Sequence, residues 1–221
     1  MTKLKNNIHK KKYNYFFFDL DGVLINSLPN MKIAWKLTSK KFNIQKNFND
    51  YRKYMGLPFF EILKKLKIKK NKFEYIKNKY EFESNNIIKK IKLYKNVKLI
   101  LKKLKKKKYK TAIVTSKDFK RTNKILKQKK LKFNYVCAPK KKLKGKPYSD
   151  QLLYAAKKLN IKDLKKCVYI GDTVIDFKTS LNSNIDFILA KYGYGPFDNI
   201  KSNKILVNEI SDIKELENFI K

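Results

Sequence analysis

Hydrophobic and polar positions along the chain follow two different rhythms, and the change between them divides the sequence. Tyr15-Phe16-Phe17-Phe18, followed by Leu20, is apolar without interruption, the signature of a strand buried on both faces in the middle of a parallel sheet. Thr111 to Val114, Phe133 to Cys137, Cys167 to Ile170 and Asp186 to Leu189 repeat the pattern and predict four more strands. Between them, apolar residues recur at helical spacing: Val97-Ile100-Leu101-Leu104, Ile125-Leu126, and the segment Tyr148 to Leu159. A final helix is predicted over Glu209 to Ile220. Strands alternating with helices imply right-handed parallel crossovers, hence an α/β doubly wound, Rossmann-like sheet.

One long interval breaks the alternation. From Leu28-Pro29-Asn30, which opens a helix over Met31 to Phe42, the chain offers only helical periodicity: Phe59-Ile62-Leu63-Leu66 with Ile68, then Phe73-Ile76-Tyr80, then Ile87-Ile88-Ile91. This predicts a four-helix unit inserted after the first strand. The expected organisation is a basic arm at 1–14, a core made of 15–25 and 95–221, and a helical cap at 26–94.

Composition narrows this picture only in places. With 221 residues, 43% of them hydrophobic, the chain can bury one core with an inserted subdomain but hardly two full domains. Met1 to Lys12 has no apolar centre of the kind a signal peptide needs, and no stretch reaches the length of a membrane span, so a cytoplasmic protein is expected. Cys137 and Cys167 both lie in strand-like apolar runs and are expected as buried, reduced thiols. His9, in the basic arm, is expected to be inert. The formal charge of +38 raises the possibility of nucleic-acid binding. Arg52 and Arg121 are the only arginines, however, and the lysines are spread over helix faces, which speaks for compositional drift rather than a localised nucleic-acid surface. Such a field would still draw in small anions.

Four stretches carry candidate chemistry. The first strand ends in Asp19-Leu20-Asp21-Gly22, placing two carboxylates where open α/β sheets bind ligands, with Gly22 permitting the turn. The second strand ends in Thr115-Ser116 within AIVTSK. Lys146 stands between Gly145 and Pro147, just before a helix start at Tyr148-Ser149-Asp150. Gly171-Asp172-Thr173-Val174-Ile175-Asp176 again follows a strand and begins a helix. A magnesium ion takes one or two carboxylates in an oxygen octahedron, and Asp19 and Asp172 could supply them.

In this order, the four stretches resemble the haloacid dehalogenase superfamily, in particular its phosphoglycolate-phosphatase-like and β-phosphoglucomutase-like branch with a helical cap. The resemblance implies a Mg²⁺-dependent phosphatase in which Asp19 attacks phosphorus and forms an aspartyl-phosphate. It implies that Asp21 protonates the leaving alcohol and then takes a proton from water, and that Thr115 and the Ser116 backbone N–H hold the phosphoryl group. Lys146 would neutralise charge on the phosphoryl oxygens and on Asp19. Asp172, Asp19 and the Asp21 backbone carbonyl would hold the metal, with Asp176 in a supporting role through Lys146 or a metal-bound water. Relatives that break carbon–halogen bonds or pump ions lack an acid at the place of Asp21, so a phosphatase or phosphomutase is implied.

The cap would choose the substrate, a small phosphorylated metabolite such as phosphoglycolate or a sugar phosphate. In Tyr51 to Leu63, Gly56 and Pro58 break the helical pattern near a substrate-facing loop. Mutase relatives carry an arginine after this glycine, whereas here Leu57-Pro58-Phe59 follows, which favours a hydrolase. Gly22, Ser116 and Arg52 complete the candidate substrate contacts. Tyr192 to Pro196 reads as a loop rimming the site, and Leu24 to Ser27 with Lys95 to Val97 as hinges, where Asn96 tolerates left-handed backbone angles. Two alternatives are a phosphomutase, and a basic nucleic-acid binder on an inactive version of the fold.

Overall fold

The structure, a computed structural model, describes residues 11–195 and 202–220. His9, most of the basic arm, and Pro196 lie outside the described residues. Strand β1 (Tyr15–Phe18) is followed by a two-residue strand β2 (Ile25–Asn26), then helices α1 (Leu28–Lys41), α2 (Phe48–Arg52), α3 (Phe59–Lys65) and α4 (Phe73–Asn86). Strand β3 (Lys92–Leu93) pairs antiparallel with β2 and returns the chain. The remainder alternates: α5 (Val97–Lys106), β4 (Lys110–Val114), α6 (Phe119–Lys129), β5 (Tyr135–Cys137), α7 (Asp150–Lys158), β6 (Cys167–Gly171), α8 (Val174–Ser183), β7 (Asp186–Ala190) and β8 (Val207–Ile210).

All six strands of the main sheet run parallel, in the order β5-β4-β1-β6-β7-β8. Because side chains alternate along a strand, Phe16 and Phe18 enter one core layer and Phe17 the other. The first layer takes Ile100 and Leu104 of α5 with Ile125 and Leu126 of α6; the second takes Leu152, Ala155 and Ala156 of α7 with Phe177 of α8. This is the doubly wound α/β sheet read from the sequence. Helices α1 to α4 instead surround a third apolar cluster built on Trp35, Tyr51, Ile62, Leu63, Ile76 and Tyr80.

Three elements differ from the sequence reading. The chain over Ile87 to Ile91 makes a single 3₁₀ turn at Ile88–Lys90 rather than a helix, and the fourth helix of the inserted unit is the short α2. Asn47 caps α2, its carboxamide oxygen accepting from the backbone of Asn49 and Asp50, which starts a helix too short for periodicity to reveal. The expected helix over Glu209 to Ile220 divides into a strand and a 3₁₀ helix at Ile213–Phe219. A capping box explains the break: Asp212 accepts from the Lys214 N–H, and Glu215 from the Ser211 and Asp212 N–H groups. Residues before that box are free to extend and pair with β7.

The two cysteines are buried on β5 and β6, with β4 and β1 between them. Three strand spacings alone put them at least about 14 Å apart, too far for a disulfide. Burial pushes the thiols up, to about 11 for Cys137 and about 12 for Cys167. Among the described residues no helix is long and apolar enough to cross a membrane.

Candidate active site

Parallel pairing sets Phe18 opposite Ile113 on one side and Ile170 on the other. The residues that follow therefore leave the sheet together at one edge: Asp19 after β1, Thr115 after β4 and Asp172 after β6. The Asp19 N–H donates to the Ile170 carbonyl at 2.8 Å, so the carboxylate begins from a fixed backbone position.

Asp19 sits in a buried charge cluster. Lys146 Nζ, on a side chain fully withdrawn from solvent, is 2.9 Å from Asp19 Oδ1 and 2.7 Å from Asp176 Oδ1. Tyr169, on the strand between them, donates its hydroxyl to Asp176 Oδ1 at 2.9 Å, while Thr173 donates both its backbone N–H and its hydroxyl to Asp176 Oδ2. Asp176 thus has donors on both oxygens. Burial raises the Asp19 carboxyl to about 7, and the Asp176 and Asp21 charges act the same way while Lys146 opposes them. Burial, with the charges of Asp176 and Asp19, also holds Asp172 well above the usual carboxylate range. Burial alone would pull the Lys146 ammonium down, but the two carboxylates outweigh it and hold the group above its ordinary value.

The cluster bears on metal binding. Asp19, Asp172 and Asp176 each offer an oxygen, all within 4.8 Å of one another. Asp176 is already saturated by Lys146, Tyr169 and Thr173, which leaves Asp19 and Asp172 with lone pairs to give. Asp172 Oδ2 accepts from the Tyr194 N–H at 3.1 Å, but its Oδ1 is buried with no hydrogen-bond partner. An orphaned buried carboxylate oxygen beside a second carboxylate is expensive unless a cation compensates it. Oxygen-only donors suit a hard divalent ion such as Mg²⁺. Backbone packs close around the site: a methyl group on Gly22 (φ +81°) would lie 1.9 Å from Asp172 Oδ2, and one on Gly193 would lie 2.3 Å from the Asp172 Cβ.

Asp21 stands apart from this cluster. Its Oδ1 accepts from Ser27 Oγ at 2.5 Å, and its Oδ2 pairs with Lys117 Nζ at 3.1 Å. Ser27 Oγ is also 3.0 Å from the Tyr194 hydroxyl. The loop after β7 is therefore more than a rim, since Tyr194 is buried and braces both Asp172 and Ser27. Burial, and next to it the Arg121 charge, pull the Lys117 ammonium below its ordinary value, against Asp21.

A cavity with room for about 70 Å³ of water-sized contents lies between this edge and the inserted helices. Asp19, Asp21, Thr115, Ser116, Lys117, Arg121 and Asp172 form its floor, and Met31, Tyr51, Met55, Phe59 and Tyr80 its roof. Ser116 Oγ donates to the Gly56 carbonyl at 2.7 Å, tying floor to roof, and Pro58 packs on Gly145. Asn96, at φ 63°, is left-handed as its sequence position suggests, and its amide donates to both Asp212 oxygens.

The structure thus gathers Asp19, Asp21, Gly22, Thr115, Ser116, Lys146, Asp172 and Asp176 at one edge. Arg52 is the exception: its Nη2 donates to the Tyr194 carbonyl at 3.0 Å from an exposed position outside the cavity. Arg52 is the last residue of α2, and its side chain reaches the loop after β7 at Tyr194. Sequence reasoning missed Lys117, Ser27, Tyr194, Tyr169 and Arg121. Lys117 follows Thr115 by two residues, but one lysine in so lysine-rich a chain carries no signal, and the others are brought in by tertiary packing.

The model of a protein family described as haloacid dehalogenase-like hydrolase matches residues 16–190. No curated protein matches the chain. Among solved structures, one described as a predicted phosphatase from Clostridium acetobutylicum superposes with a TM-score of 0.79 at 26% identity, covering 93% of this chain and 97% of that one. One described as a predicted phosphoglycolate phosphatase from Haemophilus somnus gives 0.75 at 23% identity over 93% and 96%. A hydrolase from Pseudomonas syringae gives 0.80 at 24% over 93% and 96%.

Proposed function

The chain belongs to the haloacid dehalogenase-like hydrolase family, and from that premise we propose that it is a Mg²⁺-dependent phosphatase of small phosphorylated metabolites working through an aspartyl-phosphate on Asp19. The observation that carries this reading is the pairing of two different carboxylates at one cavity: Asp19 within a buried charge cluster, and Asp21 held separately by Ser27 and Lys117. Two acids with separate environments can take separate roles.

In the proposed reaction, Asp19 Oδ attacks phosphorus and the bond to the leaving oxygen breaks. Lys146 neutralises charge that builds between Asp19 and the phosphoryl oxygens. Thr115 Oγ1 and the N–H of Ser116 orient the phosphoryl group. Asp21, aimed by Ser27 and Lys117, gives its proton to the leaving alkoxide, then removes one from the water that opens the aspartyl-phosphate, so the Asp19 carboxylate and the protonated Asp21 are both regenerated. Asp19, Asp172 and the Asp21 backbone carbonyl would hold Mg²⁺, which when bound offsets phosphoryl negative charge. The inserted helices act as a cap: the aromatic roof excludes water in the first step and must open to release product. The lysine-rich surface draws anionic substrates toward the site, and nucleic-acid binding forms no part of the reading.

Release of inorganic phosphate from a panel of small phosphate esters, with Mg²⁺ and with chelator, tests this proposal. Turnover that needs metal and disappears in Asp19→Asn is expected. A correctly folded protein that releases phosphate from no ester would overturn it. Isomer formation without net phosphate release would point instead to a phosphomutase.

A further inference from the structure

The cavity holds a cation that the proposed chemistry does not use. Arg121, in the first turn of α6, is about nine-tenths buried and lines the cavity beside Lys117. Its Nε lies 2.7 Å from Asp118 Oδ2, and its guanidinium carbon stands 5.7 Å from the centre of the Tyr80 ring on the roof. Its Nη1 is buried with no hydrogen-bond partner. Leaving a buried guanidinium N–H unpaired costs more than leaving a neutral donor unpaired. The chain's basic residues number 56, and only Arg52 and Arg121 among them are arginines. An arginine facing a cavity in such a lysine-dominated chain presents the planar fork that binds carboxylate or phosphate oxygens, which lysine cannot reproduce.

Resting on the phosphatase reading, the geometry assigns Arg121, with Lys117 beside it, as a subsite for a second anionic group on the leaving side of the substrate. The Asp19, Asp172 and Lys146 end takes the phosphoryl group. The remaining space has apolar walls from Met31, Met55, Phe59 and Ile62. The enclosed part of the cavity, about 70 Å³, holds about five to seven water-sized groups, and its mouth is open to solvent. The substrate class is a phosphate monoester bearing a carboxylate or a second phosphoryl group within reach of Arg121. Arg121 decides specificity by pairing that group, since a neutral leaving group would leave the guanidinium N–H buried and unpaired.

The test compares kcat/KM for three esters built on a two-carbon unit, with Mg²⁺: phosphoglycolate, its neutral counterpart 2-hydroxyethyl phosphate, and ethane-1,2-diol bisphosphate. Wild-type enzyme is expected to prefer an anionic ester over the neutral one by about thirtyfold or more, the scale of a buried charge pair. In Arg121→Met that preference is expected to fall at least about tenfold, and Arg121→Lys, which keeps the charge without the fork, to restore part of it. The better of the two anionic esters identifies the source as carboxylate or phosphoryl. Wild type that turns over the neutral ester as well as the anionic ones would overturn the inference while leaving the phosphatase reading intact, as would an equal loss on all three esters in both variants. No phosphate release from any ester would remove both.

Discussion

The floor and the roof of the cavity are built on different physical principles. On the floor most charged groups have a fixed answering charge: Lys146 bridges Asp19 and Asp176, and Lys117 answers Asp21, while Asp172, crowded by the backbone of Gly22 and Gly193, keeps an unpaired oxygen. The roof is a stack of rings, with Tyr51 within 4.8 Å of Trp35 and 5.9 Å of Tyr80, held by packing rather than charge. A charge network tolerates almost no displacement, whereas an apolar layer can repack. Chemistry therefore belongs on the sheet edge, and substrate choice on the layer that can move or change.

The most severe break in this comparison is Asp19→Asn. On the floor reading it lowers phosphate release at least about 10³-fold by removing the nucleophile, with circular dichroism unchanged. A variant with residual turnover within tenfold of wild type would move the chemistry away from Asp19.

Lys146→Met comes next, because it strands two buried carboxylates at once. It is expected to destabilise the fold by about 3–5 kcal/mol in urea unfolding. Lys117→Met should cost less than half as much, since Asp21 keeps its Ser27 hydrogen bond and its side chain is 13% exposed. Equal costs would mean the two lysines are not distinguished as the geometry implies.

The Asp19 carboxyl gives a pH test. Its folded value near 7 lies above its ordinary 3.8, so the native state binds the proton more tightly than the unfolded chain. Its stabilising contribution to the metal-free protein is full below pH 4 and is lost as pH rises through 7. Asp19→Asn should flatten that part of a melting-temperature profile, and Mg²⁺ should raise the melting temperature of wild type most at pH 7 and above. A profile unaffected by the substitution would contradict the buried environment assigned to Asp19.

The mildest change acts on the tie between the two layers. Ser116→Ala removes the hydroxyl that donates to Gly56, worth about 0.5–1.5 kcal/mol. It should raise KM by about threefold or more with kcat little altered, because it loosens closure without touching the carboxylates. A fall in kcat with KM unchanged would place Ser116 in the chemistry itself.

Much of the floor was legible in the sequence because a parallel sheet converts order into position. Asp19, Thr115 and Asp172 each end an apolar run, and parallel neighbours with in-step register bring such ends to one edge. Lys146 was legible through its bracketing Gly145 and Pro147. Local periodicity failed where a side chain redirects the backbone: Asn47 starts a helix of one turn, and the Asp212 and Glu215 box turns an expected helix into a strand and a 3₁₀ turn.

What the sequence by itself determined was the alternation of strands and helices, the place of the inserted helices and the four loops that carry carboxylate, hydroxyl and lysine. Those depend on residues close together in the chain, where spacing is a physical constraint. Tertiary structure alone decided that Arg52 turns outward while Arg121 turns in, that Lys117 rather than any other lysine answers Asp21, and that Tyr194 braces Asp172 and Ser27. Each joins groups on separate elements. Their pairing is set by burial and by the need to answer each buried charge, neither of which local spacing records.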